Sequence, residues 1–129
     1  MAHANEDLLR RGYDAFGSGD MAAIAELFAD DIVWHVPGNH PLAGDYTGRD
    51  SVLAFFGKSV ELTGGTLRVE VHDILANDEH GVALTRDTAQ RGDKSLDDNA
   101  VQVFHIRDGK AVESWFHPGD PAAADEFWS

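Results

Sequence analysis

Arg86 and Asp87 stand side by side in the run ALTRDTAQ, Ala83 to Gln90, whose residue types suit a β-strand. Adjacent strand residues point to opposite faces, so a sheet covered on one side takes one of these two charges inward. A guanidinium held inside is costly unless it meets a carboxylate or an anionic ligand, and its planar fork suits a carboxylate, enolate or phenolate. A carboxylate held inside becomes a general base, because desolvation raises its pKa toward neutrality. The two orientations therefore predict different chemistry. Gln102 adds a group able to donate a hydrogen bond to a developing oxyanion. His35, His72, His105 and Tyr13 are further candidates for proton transfer, although a lone strand histidine more often serves packing or an interface.

These side chains need elements to hold them. Leu9, Tyr13 and Phe16, with Leu8 beside them, form one apolar helix face, and GSGD ends that helix. Asp20 caps a second helix carrying Met21, Ile24, Leu27 and Phe28 on one side, before ADD closes it. DIVWHVP is a short strand stopped by Pro37, with Ile32, Trp34 and Val36 on one side and Val33 and His35 on the other. GNHPLAGDYTG reads as loop. TGRD fits a capping box, Thr47 with Asp50, opening a third helix with Val52, Phe55, Phe56 and Val60 inward.

Four strands follow. Leu67 to Ala76 changes its apolar phase near His72 and Asp73, which predicts a bulge. Val82 to Gln90, Asn99 to Arg107 and Ala111 to His117 complete a meander, the last two joined by the hairpin signal RDGK. Asp120 caps, and Pro121 begins, a short C-terminal helix through Trp128. Three N-terminal helices followed by a mostly antiparallel meander predict an α+β fold, the helices on one face of a curved sheet.

Composition bounds the rest. A chain of 129 residues, 43% of them hydrophobic, is one domain spanning 1–129 and can bury a core without disulfides. The absence of cysteine excludes a disulfide framework, a cysteine-ligated zinc site and a thiol nucleophile. A formal charge of -13 with scattered basic residues argues against nucleic acid and anionic membranes as partners. The start MAHANEDLLRR has no long apolar run and reads as helix rather than signal peptide, so a cytoplasmic protein is the expectation. No HExxH or His-x-His spacing, Gly-rich phosphate loop or nucleophile elbow occurs, so neither a metal nor another cofactor is expected.

The order of elements, carried by YDAFGSGDMAAIAELFADDIVWHVPG, YTGRDSVLAFF and VQVFHIRDGKAVESWFHPGD, resembles the NTF2-like superfamily, most of all its SnoaL-like branch beside ketosteroid isomerase. The resemblance covers nearly the whole chain. It implies a cone whose pocket lies between the concave sheet face and the helices, and a homodimer formed through the other sheet face. Carried onto this chain, it turns Trp34, Val36, Val82, Leu84, Arg86, Thr88, Ala100, Gln102 and Phe104 toward the pocket, with Tyr13, Phe16, Phe55, Phe56 and Phe116 as further walls. Asp87 then lies outside with Ala83, Thr85 and Ala89, whose small side chains suit a dimer interface, and His35 and His105 also face outward. Arg86 would pair with an acid such as Glu113 or Asp73, reach the rim, or anchor a ligand anion. In the reversed register Asp87 is the best single candidate for a general base.

The resemblance also tests particular mechanisms. The base, tyrosine and protonated-aspartate positions of ketosteroid isomerase fall on Val36, Gly12 and Gln102, so that mechanism is not expected. Relatives similar to limonene-epoxide hydrolase need an Arg and an Asp two residues apart, whereas Arg86 and Asp87 are adjacent and Thr88 holds the needed place. SnoaL-like cyclases move protons on a polyketide without a cofactor. The expected function is a small-molecule-binding domain, acting as a cofactor-independent isomerase, cyclase-like enzyme or hydrolase on a mostly apolar carbonyl or acidic compound. Arg86 and Gln102 would hold the oxygen, and Asp87 or a histidine such as His35 would move the proton. The alternative is a non-catalytic ligand-binding or dimerisation module of the same fold.

Overall fold

Two apolar helix faces at the start of the chain have to be buried against something, and a curved sheet supplies the surface. The computed structural model describes residues 3–129; Met1 and Ala2, the first two residues of the expected opening helix, lie outside the described residues. The elements are α1 (Ala4–Ser18), α2 (Met21–Leu27), β1 (Phe28–Val36), β2 (Gly44–Thr47), α3 (Arg49–Leu62), β3 (Arg68–Ala76), β4 (His80–Arg91), β5 (Lys94–Arg107), β6 (Lys110–Pro118) and α4 (Pro121–Trp128). The sheet has six strands in the order β2-β1-β6-β5-β4-β3, antiparallel except where β1 runs parallel to β6. The fold is the expected α+β arrangement, with helices on one face of a curved, mixed sheet.

Local chemistry explains the boundaries. Gly19 ends α1 at φ 75°, its N–H returning to the carbonyls of Ala15 and Phe16, a left-handed cap that suits glycine. Asp20 and Asp120 each accept a hydrogen bond from the backbone N–H three residues on, starting α2 and α4. The bulge read near His72 and Asp73 is present, because the β3–β4 register shifts between Val71 and Asp73.

Four local readings change. Phe28 opens β1 rather than closing α2. Part of the expected loop is β2, recruited by pairing of Gly44–Thr47 with Val33–Val36. The capping box does not form, since Thr47 is held in β2 opposite Val33 and the N-cap of α3 is Gly48, with no side-chain bond. Strand β5 begins at Lys94, five residues before the expected start, because a tight turn lets Arg91 pair with Lys94.

The core lies between the inner sheet face and the helices, with Ile24, Ile32, Val52 and Phe127 almost fully enclosed. Along β4, Ala83, Thr85, Asp87 and Ala89 are buried while Arg86 is exposed. This reverses the face expected for that strand. Cross-strand pairing fixes it: Ala83 sits opposite Gln102, Thr85 opposite Ala100 and Asp87 opposite Asp98, and directly opposed residues share a face. With Gln102 and Phe104 inward, Arg86, Leu84 and Thr88 have to point outward. The small residues expected at an outer interface are therefore the inner floor of the sheet.

Candidate functional site

A cavity of about 170 Å³ lies between the inner sheet face and the helices. A cavity of about 150 Å³ admits a benzene-sized molecule, so this one has room for a small ring compound. Helix α1 contributes Tyr13 and Phe16, α3 contributes Phe55 and Phe56, and β1 contributes Trp34 and Val36. Phe104 and Gln102 from β5 and Phe116 from β6 close the sheet side. The aromatic walls lock one another. Trp34 meets Phe56 edge-on with ring centres 5.0 Å apart and Phe104 at 5.8 Å, and Tyr13 meets Phe104 at 6.4 Å.

Asp87 and Thr85 project into this apolar space from β4. The Thr85 hydroxyl donates to Asp87 Oδ1 at 2.9 Å. Burial pushes the Asp87 carboxyl up to about 6, against a smaller downward pull from the Thr85 bond, with the nearby Asp98 charge adding to the rise. Tyr13 is half-buried and borders the cavity, and its hydroxyl makes no hydrogen bond among the described residues. Burial, and then the Asp87 charge, hold its phenol protonated far above the ordinary range. It is a standing hydrogen-bond donor.

Gln102 is set by the residue behind it. The Ser114 hydroxyl donates to the Val103 carbonyl at 2.9 Å, so its oxygen is left to accept from Gln102 Nε2, at 2.6 Å. This fixes which end of the amide is nitrogen and leaves its second N–H and its carbonyl oxygen for a ligand. Ser114 is fully buried and acts by orienting Gln102.

Other expected site residues lie elsewhere. Arg86 is on the outer face, its Nε and Nη2 donating to the two carboxylate oxygens of Asp97 at 2.9 and 2.8 Å. The expected partners Glu113 and Asp73 are not the ones used, and the anchor for an acidic ligand is removed with it. Leu84 and Thr88 share that outer face, and Ala100 is buried without bordering the cavity. His35 is also outside, its Nδ1 at 2.7 Å from Asp45 and its Nε2 at 2.7 Å from Glu113, with Trp115 stacked on the ring. Hydrogen bonds from Glu113 and then Asp45 raise its pKa.

Two titratable residues that sequence reasoning passed over face the cavity, Asp98 and His40. Asp98 precedes the expected strand start at Asn99, and longer pairing of β5 would have been needed to find it. His40 accepts a hydrogen bond at Nδ1 from the Leu42 N–H, 3.2 Å away. Burial lowers its pKa, keeping the ring neutral. Its loop gave no periodic signal.

Comparison with known proteins agrees with this architecture. A family profile described as a SnoaL-like domain matches residues 9–114. Uncharacterized proteins of Mycobacterium tuberculosis and Mycobacterium bovis are 36% identical over 127 residues, covering 98% of this chain and 97% of theirs. The solved structure of Bal32a, from a soil-derived mobile gene cassette, superposes with a TM-score of 0.95 at 39% identity, covering 98% of this chain and 97% of that one. An NTF2-like protein of Burkholderia xenovorans superposes with a TM-score of 0.85 at 21% identity, over 100% of this chain and 98% of its own, a likeness of fold.

Proposed function

The chain belongs to the SnoaL-like family, and we propose that it is a cofactor-independent acid–base enzyme acting on a small, mostly apolar carbonyl compound. One observation carries this reading: a carboxylate, Asp87, faces an aromatic cavity with a single hydroxyl donor and a pKa raised to about 6. Such a group is ionised at neutral pH yet basic enough to take a proton from carbon next to a carbonyl. The electron pair left behind moves onto the carbonyl oxygen. Tyr13 and the free N–H of Gln102 donate to that oxygen as its charge develops, with Ser114 holding Gln102 in place. In a β,γ-unsaturated substrate the proton on Asp87 is then returned at the γ-carbon, completing an isomerisation; in a substrate with a second carbonyl the enolate carbon attacks it, and the new alkoxide takes the proton back from Asp87.

Deuterium exchange at the α-carbon of cyclohexanone, followed by NMR, tests the reading. The protein should accelerate exchange over buffer, and Asp87→Asn should lower that acceleration by roughly a hundredfold or more. Equal exchange by Asp87→Asn, or none above buffer, would reject Asp87 as the base. A second reading has its own support: Val36 and Gly12, at the ketosteroid isomerase base and tyrosine positions, both border the cavity without a functional group. Under it, small ring ketones bind without exchange.

The assembly we propose is a homodimer through the outer sheet face. Its support is the partly covered cluster of Trp115, His35 and His105, with Trp115 and His105 ring centres 4.7 Å apart. Light scattering on wild type and Trp115→Glu tests it, a dimer becoming a monomer being the expected result.

A further inference from the structure

Asp87 and Asp98 stand directly opposite one another on β4 and β5, and both border the cavity. Directly opposed side chains on one face have Cβ atoms about 5 Å apart, a spacing at which like charges repel. Asp87 takes one hydrogen bond from Thr85, and Asp98 takes one from the Gly119 N–H at 3.1 Å. Neither carboxylate takes part in an ion pair among the described residues.

The cations that could have balanced them are committed elsewhere. Arg86 projects from the other face to Asp97, Arg91 bonds the carbonyls of Phe127 and Ser129, and Lys94 bonds those of Glu126 and Ser129. Among the described residues bordering the cavity none is Lys or Arg, and His40 uses Nδ1 as an acceptor within its own loop. Tyr13, half-buried and with a hydroxyl that bonds no protein group among the described residues, borders the same space. What the cavity lacks is positive charge.

We propose that the cavity selects apolar ligands carrying a protonated nitrogen, held between Asp87 and Asp98, and rejects ligands of the same shape carrying a carboxylate. An ammonium group has three donors and no acceptor, and it replaces the repulsion of the two carboxylates with attraction to both. A carboxylate in the same place would add a third negative charge beside the buried Asp87. The proposal rests on the cavity being the ligand site; an ammonium bonded to Asp87 lowers its basicity, so such compounds should inhibit the α-proton exchange rather than serve as its substrates.

Three probes of one shape separate these outcomes: benzylamine, benzyl alcohol and benzoate, titrated at pH 7.5 and followed by ligand-observed NMR. Benzylamine should bind at least roughly tenfold more tightly than benzyl alcohol, and benzoate more weakly than both, the direction set by charge complementarity. Asp98→Asn, alone and with Asp87→Asn, keeps an acceptor for Gly119 and Thr85 and should erase the amine preference while benzyl alcohol still binds. Benzoate binding as well as benzylamine, or an amine preference that survives both substitutions, overturns the charge selection and leaves the acid–base reading standing. Failure of all three probes to bind overturns the ligand cavity itself.

Discussion

The Thr85 hydroxyl donates to the Asp87 carboxylate across 2.9 Å, the two residues lying two positions apart on one face of β4. That bond favours the ionised form, the opposite of what burial does. Replacing Thr85 by Val keeps the shape and deletes the donor. The midpoint of the pH–activity profile should therefore rise above that of wild type, because the bond that lowers the Asp87 pKa is gone. An unchanged or lower midpoint would show that the bond does not tune the base.

Burial of Asp87 also has a stability consequence whose sign follows from proton binding. Between the ordinary carboxyl value of 3.8 and the folded value of about 6, the folded state binds more protons than the unfolded state. Stability from this group thus falls as pH rises through that window and stays lower above it. Asp87→Asn should be more stable than wild type at pH 8, by up to roughly 3 kcal/mol at 1.36 kcal/mol for each pKa unit, with the gain fading near pH 4. Denaturant melts at the two pH values check it.

Arg86 and Asp97 form their paired hydrogen bonds in solvent on the outer face, where such pairs contribute little. Arg86→Ala should leave both ligand affinity and α-proton exchange within roughly twofold of wild type, since exposed charges of this kind are screened. A large loss of either activity would mean that the outer face communicates with the cavity.

His35 gives the opposite pH signature. Its folded pKa is raised by Glu113 and Asp45, so its stabilising contribution is present below the unfolded value and is lost as pH rises through the folded one. His35→Gln should lower Tm most near pH 6 and progressively less toward pH 9. A Tm difference independent of pH would assign His35 to packing against Trp115 instead.

Gly119 abuts the backbone behind Asp98: a Cβ there would overlap the Asn99 carbonyl oxygen. Gly119→Ala should destabilise the protein by roughly 1–3 kcal/mol, the usual cost of overpacking, and should weaken amine binding with it. Melting curves and the benzylamine titration report the two effects separately.

Much of this protein is readable along the chain. Helix faces, the Asp20 and Asp120 caps, the β3 bulge and the alternation of Trp34 with His35 follow from local periodicity and short-range hydrogen bonding, which depend on neighbours a few residues away. The inward set Trp34, Gln102 and Phe104 follows from the same alternation. Strand β4 is different, because both of its faces carry apolar side chains: Val82 and Leu84 on one, Ala83 and Ala89 on the other. Side-chain size alone pulls Val82 and Leu84 inward, whereas the space under α1 admits only small residues; a Cβ on Gly81 would collide with Leu9. The choice is made by the β4–β5 register, in which Asp87 meets Asp98 and Ala83 meets Gln102. A register is a relation between distant segments, and a shift of one residue turns every side chain over. The chain's own sequence determined the fold and the aromatic walls, and tertiary pairing alone decided that the aspartate rather than the arginine enters the cavity.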